Sequence, residues 1–330
     1  MVNSTRNLKF PTPLLSAVFA ALFLLTNTAS LSFAAFQESL WGARPAGLAG
    51  AFTALADDAN APAYNPAGIS FISHNEMTVM YAQLYTGLTL NAGQGQTSKL
   101  GLGYFSFVPQ IKNREYGSFG ISWSNFTATN LIKEDAFTLT YADNIKFESL
   151  SENPILAYGA NLKFLSRSFS PDNQSANDRV FQSGKKANAI AGDLGLMVRP
   201  NFPLIPGLKF GTSAQNINRP DIGLEKTDRV PEKYTVGVAY QDLKFRLLNP
   251  ALDLSRRNGR TLVTMAWEGW MMRDAFAFRV GGNEDQLGGG LGYQFRLFNG
   301  VFMRLDYSLL WPLDVEGTSG NHRFSLTTNF

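Results

Sequence analysis

Segments of about ten residues that alternate apolar and polar positions follow one another from residue 74 to the end of the chain. In the last one, Phe324, Leu326 and Phe330 share one face, whereas Arg323 and Ser325 lie on the other. A period of two predicts strands with one apolar face. We read fourteen strands, near residues 76–83, 99–108, 116–125, 135–143, 156–167, 189–199, 207–216, 232–240, 243–254, 261–270, 274–283, 286–296, 301–310 and 322–330.

A soluble β-sandwich gives the same alternation with the sides exchanged, so the period alone does not separate it from a transmembrane barrel. Three further features favour the barrel. Long charged side chains lie on the polar faces, the terminal Phe330 continues the apolar face, and aromatic residues lie near strand ends, as interfacial girdles require. Those aromatic residues are Tyr104 with Phe105, Trp267 with Trp270, and Tyr307 with Trp311.

The strand count is even, so both ends of the barrel lie on one side of the membrane, which is the periplasm in bacterial barrels. Short connections such as 241–242 and 297–300 then face the periplasm. The long polar connections all lie on the external side of the membrane, at residues 85–98, 168–188, 217–231 and 311–321. Short periplasmic turns and long external loops are typical of bacterial barrels.

The first 34 residues predict a secretory signal peptide. Arg6 and Lys9 supply the positive start, the apolar run Leu14–Leu25 follows, and a small-x-small site ends at Ala34, after which we expect cleavage. A membrane anchor is the alternative, but the run of about 12 residues is short of the ~20 that span a bilayer. No later segment reaches 18 continuous apolar residues, so we expect any membrane crossing to use strands.

Composition agrees with an exported barrel. Aromatic residues make up 13% and charged residues only 17% of the chain. The formal charge of +3 falls to +1 when the two cations of the signal segment are removed, so basicity implies no nucleic-acid partner. The chain has no cysteine, which excludes disulfides, thiolate metal sites and thiol nucleophiles.

Residues 35–73 do not alternate and are rich in small residues and turn formers. Three motifs stand out: Gly42-Ala43-Arg44 leading to Gly50-Ala51-Phe52, then Ala56-Asp57-Asp58-Ala59, then Asn65-Pro66-Ala67-Gly68. From composition alone, this region is a linker wedged under the barrel. The late segments 278–282, 288–292 and 305–307 carry further glycine-rich and Leu-Asp-Tyr motifs.

Together these motifs resemble the FadL-type outer-membrane transporters of hydrophobic compounds, and especially their PorV-like relatives. The resemblance implies an all-β fold, a transmembrane antiparallel barrel of about 14 strands with a small N-terminal hatch that plugs the lumen. The predicted domains are the signal peptide 1–34, the hatch 35–73 and the barrel 74–330. The residues assigned to the hatch motif are Asn65, Pro66, Ala67 and Gly68.

The resemblance implies two functions. The first is passage of a hydrophobic small molecule, of the fatty-acid or hydrocarbon class, across the bacterial outer membrane. The alternative is a PorV-like adaptor that anchors secreted proteins through the external loops 168–188 and 217–231. The expected partners are outer-membrane lipid, the transported molecule or secreted protein, and the outer-membrane assembly machinery, which would recognise the terminal Phe330.

Enzyme chemistry has little support in the sequence. His74 and His322 are the two histidines. A catalytic triad of His322, Ser325 and Asp306 can be written from the sequence, but no other feature supports it. No His, Cys and carboxylate cluster predicts a metal site, and no motif predicts a cofactor. Gly288–Gly292 lies within an alternating strand, where glycine allows bends or close packing rather than phosphate binding. We therefore expect a protein that is not an enzyme.

Charged residues on the polar faces of the late strands are expected to meet in the lumen, because their phase opposes the apolar face. One interpretation is a gating or selectivity cluster. The other, which we favour, is a salt-bridge network that ties the hatch to the wall. The predicted cluster consists of Glu268, Arg279, Arg296, Arg304, Asp306 and Arg323.

Overall fold

The computed structural model describes residues 36, 39–88, 100–111, 116–128, 131–147, 153–171, 181, 184–297 and 300–330. The predicted signal peptide 1–34 and its cleavage site lie outside these residues, as do parts of the connections 85–98, 168–188 and 297–300. No helix in the described ranges is both long and apolar enough to span a membrane.

Fourteen antiparallel strands form one closed barrel, in which every strand pairs with its neighbours in sequence and β1 pairs with β14. The predicted fold class is confirmed. The strands are β1 Glu76–Leu84, β2 Leu100–Val108, β3 Ser118–Ala128, β4 Ile132–Lys146, β5 Ile155–Phe169, β6 Lys186–Arg199, β7 Leu208–Gln215, β8 Lys233–Tyr240, β9 Asn249–Arg257, β10 Arg260–Met271, β11 Phe276–Gly282, β12 Gln286–Arg296, β13 Phe302–Pro312 and β14 Asn321–Asn329.

Large apolar side chains cover the outside of the barrel, because the alternation directs them away from the lumen. On β10, Val263 and Met265 are exposed, whereas Thr264 and Glu268 between and beyond them are buried. Water-exposed surfaces avoid apolar patches of this extent, and in a closed barrel each strand pairs with a strand on both sides. The architecture is therefore that of a transmembrane barrel.

Two predicted girdle residues are wrongly placed. Tyr104 and Trp270 occupy inward positions of β2 and β10 and are almost fully buried. Nearness to a strand end suggested a girdle, but the alternation phase decides the face. Outward aromatic residues do pack in pairs, including Phe107 with the terminal Phe330 at 6.4 Å between ring centroids and Phe119 with Tyr141 at 5.3 Å.

The ninth strand begins six residues later than predicted, at Asn249 instead of 243. Residues 241–248 form a turn, because the Asp242 carboxylate accepts hydrogen bonds from the backbone N–H groups of Lys244 and Phe245. The apolar residues of this turn, Leu243 and Phe245 among them, imitate the period of a strand. This turn belongs to the rim of the barrel that holds both ends of the strand sequence, which we call the terminal rim; the opposite end is the loop rim.

The lumen contains residues 39–74, which we call the luminal segment. It has one short helix, α1 (Ala43–Gly47), and two 3₁₀ helices, Ala61–Ala63 and Pro66–Phe71. Helix α1 contacts β11–β14, and the second 3₁₀ helix contacts β3–β6, so the segment crosses the barrel from wall to wall. Its apolar residues form the largest buried cluster of the molecule, around Leu48, Phe52 and Ile69.

Candidate functional site

The hatch motif forms the contact between the luminal segment and β5 and β6. Asn65 begins a 3₁₀ helix, and its side-chain oxygen accepts a hydrogen bond from the Ala67 N–H at 3.2 Å. The same amide group donates to the carbonyl oxygens of Thr53 (3.0 Å) and of Leu196 on β6 (3.1 Å). Asn65 therefore closes its own turn and attaches that turn to the wall. Pro66 follows at the first helical position, where its missing N–H costs nothing.

Glycines of the wall provide the space that the luminal backbone occupies. A Cβ at Gly195 would lie 2.1 Å from the Asn65 side-chain oxygen, and one at Gly159 would lie 2.6 Å from the Ala67 nitrogen. On the opposite side, a Cβ at Gly281 would lie 2.5 Å from the Leu48 carbonyl carbon. A Cβ at Gly68, within the motif itself, would likewise lie 2.0 Å from the Ala56 carbonyl oxygen. The glycines thus mark where the segment touches the wall.

A network of buried charges joins helix α1 to the late strands. Arg44 donates to Glu268 on β10 through Nε at 2.9 Å and Nη2 at 3.0 Å. Arg279 on β11 donates to Glu268 at 2.7 Å and to Asp306 at 2.7 Å. Glu268 is therefore shared by one arginine of the luminal segment and one of the wall, and all three groups are almost fully buried.

The network closes through the two acidic residues of the luminal segment. Arg44 Nη1 contacts Asp57 at 2.7 Å and Asp58 at 2.8 Å, and Arg304 on β13 links Asp58 (2.8 Å) to Asp306 (2.7 Å). Burial raises the pKa of both carboxyls, but the combined attraction of Arg44 with Lys209 for Asp57, and of Arg44 with Arg304 for Asp58, outweighs it and holds both pKa values below the usual range. Both acids are therefore anionic at neutral pH.

Four of the six residues in the predicted lumen cluster meet in this network: Glu268, Arg279, Arg304 and Asp306. Arg323 is buried in the lumen nearby but donates instead to the Leu40 carbonyl oxygen at 3.1 Å. Arg296 faces inward at the end of β12, where it is exposed and its guanidinium lies 5.6 Å from the Phe302 ring centroid. It lies on the predicted face but at the terminal rim.

Sequence reasoning missed the luminal half of the network, Arg44, Asp57 and Asp58. The available signal was that three charged residues occur in a segment of small residues expected inside a barrel, where unpaired charges are costly. Further wall groups bind the segment's backbone: the Asp253 carboxylate accepts the N–H groups of Phe52 (3.1 Å) and Thr53 (3.0 Å), and Ser325 Oγ accepts that of Ala43 (2.8 Å).

The histidines take no part in this site. His322 faces outward, where its Nδ1 lies 2.8 Å from the Tyr307 hydroxyl, whereas Ser325 and Asp306 face the lumen, so the three cannot form a triad. His74 lies 3.0 Å from Glu76 at the start of β1. Among the described residues, no group of three or more His, Asp or Glu side chains is arranged to hold a metal ion.

Apolar side chains line the lumen between the network and the loop rim. One group, on β1 and β2, consists of Met80, Ala82, Leu102 and Tyr104, with Trp41 of the luminal segment stacked on Tyr104 at 6.0 Å. A second group lies across the lumen on β4–β6 and includes Ile222 and Val230, which come from the connection between β7 and β8. That connection therefore folds into the mouth of the barrel.

The wall is incompletely paired between β6 and β7. The β5–β6 ladder has fourteen residue pairs, whereas the β6–β7 ladder has five and ends at Leu194. Beyond it, loop residues take over: Ile217 N–H donates to Gly192 O, and the Asn218 side chain donates to Ile190 O. Within the described residues, no strand pairs with this side of residues 186–193 of β6.

The chain belongs to the uncharacterised protein family UPF0164, whose family model matches residues 32–254. A search of curated protein sequences finds no match.

Solved structures share the fold at low sequence identity. The monoaromatic hydrocarbon channel CymD is 10% identical, with a TM-score of 0.53, and the match covers 87% of this chain and 95% of CymD. The toluene transporters TbuX of Ralstonia pickettii and TodX of P. putida are each 13% identical, with TM-scores of 0.52, covering 82% of this chain and 94% of theirs. These comparisons establish the architecture.

Proposed function

We propose that this protein resides in the bacterial outer membrane, after signal-peptide cleavage near Ala34, and passes a hydrophobic small molecule of the fatty-acid or hydrocarbon class. The observation that carries the proposal is the apolar lining of the lumen on its loop-rim side, around Met80, Leu102 and Tyr104. Barrels that pass polar solutes have polar, water-filled lumens. The similarity in fold to channels named for aromatic hydrocarbons supports the same conclusion.

The luminal segment acts in this proposal as a hatch. It is bound to β3–β6 on one side and to β11–β14 on the other, so a straight path through the lumen is blocked. The charge network holds the segment to the wall, which favours the tethering interpretation of these charges over a selectivity role. Cargo that enters from the loop rim must therefore leave the lumen sideways.

The short β6–β7 ladder offers the place for such an exit. Beyond Leu194 the wall consists of β6 and loop residues, and the inward side chains of β6 there are small: Ala187, Ala189 and Ala191. The neighbouring outward residues, Ile190 and Leu194, are exposed and apolar, so this part of the wall faces lipid. An apolar molecule that passes here moves from the lumen into the membrane without crossing water.

Uptake into liposomes tests the transport function. Vesicles that contain the folded protein should take up toluene or a radiolabelled fatty acid faster than empty vesicles, and equal rates would reject transport. The route is tested by a disulfide across the gap, with Gly192→Cys and Ile217→Cys, because a Cβ at 192 lies 3.8 Å from the Ile217 side chain. Oxidation should slow uptake and reduction restore it, and the chain has no other cysteine.

The uptake assay also distinguishes a transporter from the adaptor alternative. An adaptor would show no uptake and would retain a secreted protein when purified from intact envelopes. The connection 217–231 is one of the two predicted docking loops, but Ile222 and Val230 are buried in the barrel mouth, so part of this connection is not free to contact a partner.

A further inference from the structure

Exposed apolar side chains concentrate on three neighbouring turns of the terminal rim, 200–207, 241–248 and 272–275. Leu204 is 95% exposed, Met272 73% and Phe245 64%. The loops of the loop rim differ, since within the described ranges they expose only Leu131, Ile217 and Leu313 as large apolar residues. A contiguous apolar patch of this kind in water is an aggregation hazard and indicates a contact surface.

The three turns form one surface. The Gln241 N–H donates to the Gly207 carbonyl oxygen at 2.9 Å, which joins the first turn to the second. The second turn is joined to the third by the Arg246–Asp274 ion pair at 2.6 Å and to the end of β10 by the bond from Trp270 N–H to Arg246 O at 2.8 Å. We call this surface the turn patch.

The turn patch extends onto the outer wall of the barrel through the turn 241–248. Trp267 and Gly269 occupy outward positions of β10, yet Gly269 is buried, and a Cβ there would lie 3.0 Å from the Leu247 carbonyl oxygen. The turn 241–248 therefore covers the lipid-facing side of β10. Its apolar residues continue the apolar outer surface of the wall, which on the next strand, β11, includes Phe276 and Phe278.

The charges of these turns are arranged with the cations outward. The Asp242 carboxylate accepts the Lys244 and Phe245 N–H groups, and Asp274 pairs with Arg246, so both acids are engaged within the turns. Lys244 and Arg273 are exposed, and the Lys244 Nζ lies 4.9 Å from the Phe245 ring centroid. Apolar side chains rimmed by cations match a leaflet of phospholipids, which presents acyl chains below phosphate groups.

We propose that the turn patch is an interfacial anchor in the periplasmic leaflet of the membrane: Leu204, Phe245, Leu248 and Met272 lie among the acyl chains, and Lys244 and Arg273 bind the headgroup phosphates of anionic phospholipids. The long stems of both cations reach the headgroup level from an apolar base. The anchor lies on the β6–β11 side of the barrel.

Spin labelling tests the immersion of the patch. Single variants Leu204→Cys, Phe245→Cys and Leu248→Cys take a nitroxide label cleanly, because the chain has no cysteine. In vesicles of phosphatidylethanolamine and phosphatidylglycerol, these labels should be reached by oxygen and shielded from a water-soluble nickel complex, like a label at Met265 on the wall. A label at Glu316 on the loop rim gives the aqueous limit. Folding of each variant is checked by its heat-modifiable band on a gel.

If the labels at 204, 245 and 248 are as accessible to nickel as the label at 316, the patch faces the periplasm and the anchor is rejected in favour of a protein partner. The headgroup contact has its own test. Lys244→Gln with Arg273→Gln should lower the ratio of phosphatidylglycerol to phosphatidylethanolamine retained by the barrel, whereas Lys226→Gln with Arg229→Gln, on the loop rim, should not. An equal ratio in both double variants would overturn the phosphate assignment.

Discussion

Arg44 on helix α1 and Glu268 on β10 are 224 residues apart in sequence, yet two hydrogen bonds of 2.9 and 3.0 Å join them inside the barrel. Breaking a buried pair leaves the partner charge uncompensated, which costs about 3–5 kcal/mol. We therefore predict that Glu268→Gln lowers the unfolding temperature of the barrel strongly in heat-modifiability or urea titrations.

Arg260→Gln is the matched control for this variant. Arg260 pairs with Glu284 and Asp285, but these side chains are exposed, and exposed pairs contribute about 0–1 kcal/mol. Equal losses for the two variants would contradict a structural role for the luminal network. Arg304→Ala separates tethering from gating: tethering predicts lower stability with unchanged uptake, and altered uptake in a stable barrel would favour gating.

Arg323 is expected to behave differently, although it is equally buried. Among the described residues no carboxylate pairs with it; its Nε donates to the Leu40 carbonyl, and its Nη1 has no hydrogen-bond partner. An unpaired buried charge has a desolvation cost that no partner offsets, and its removal leaves no opposite charge uncompensated. Arg323→Met should therefore cost clearly less stability than Arg279→Met in the same titration, and an equal or larger loss would refute this.

Gly195→Ala is predicted to displace the luminal segment, because the new Cβ would lie 2.1 Å from the Asn65 side-chain oxygen. Overpacking of this kind costs about 1–3 kcal/mol. Planar-bilayer recordings should show larger ion conductance once the segment shifts. Gly289→Ala is the control, since nothing lies within 4 Å of its Cβ position, and it should leave conductance and stability unchanged.

Acid should loosen the luminal segment. The pKa values of Asp57 and Asp58 are lowered in the folded state, so their contribution to stability is fully present above the unfolded pKa of about 3.9 and is lost as pH falls below it. Unfolding temperatures should be flat between pH 7 and about 5 and then fall. In the Asp58→Asn variant, the unfolding temperature should fall less steeply with decreasing pH. An unchanged slope would show that Asp58 does not contribute to the pH dependence.

Residues added after Phe330 are predicted to impair insertion. Phe330 lies on the outward face, and its ring stacks on Phe107, so its side chain is available at the terminal rim. A variant with a short C-terminal tail should give less heat-modifiable barrel in envelopes. Normal amounts of folded barrel from the tailed variant would show that the assembly machinery does not read this residue.

Alternation predicted all fourteen strands because each strand buries one face in the lumen and gives the other to lipid. It failed at residues 243–248, where the side chain of Asp242 organises a turn from residues that have the period of a strand. It also failed for Tyr104 and Trp270, because nearness to a strand end suggests depth in the membrane but only the phase gives the face.

The candidate site was half predictable for a related reason. The phase of the late strands placed Glu268, Arg279, Arg304 and Asp306 in the lumen, where they meet. The alternation phase shows which face of the strand a residue is on, but not where along the strand it lies. Arg296 was therefore grouped with these residues although it lies at the terminal rim. Arg44, Asp57 and Asp58 lie in a segment without a period, and nothing local in the sequence shows which wall residues they face.

The luminal segment has no sheet, and wall groups such as Asp253 and Ser325 accept the N–H groups of Phe52, Thr53 and Ala43. Its shape is therefore templated by strands that are synthesised after it, some of them last. Helix α1 contacts β11–β14, and β14 also pairs with β1. A chain truncated before β14 would therefore lack both the strand that closes the barrel onto β1 and one of the four strands that contact helix α1.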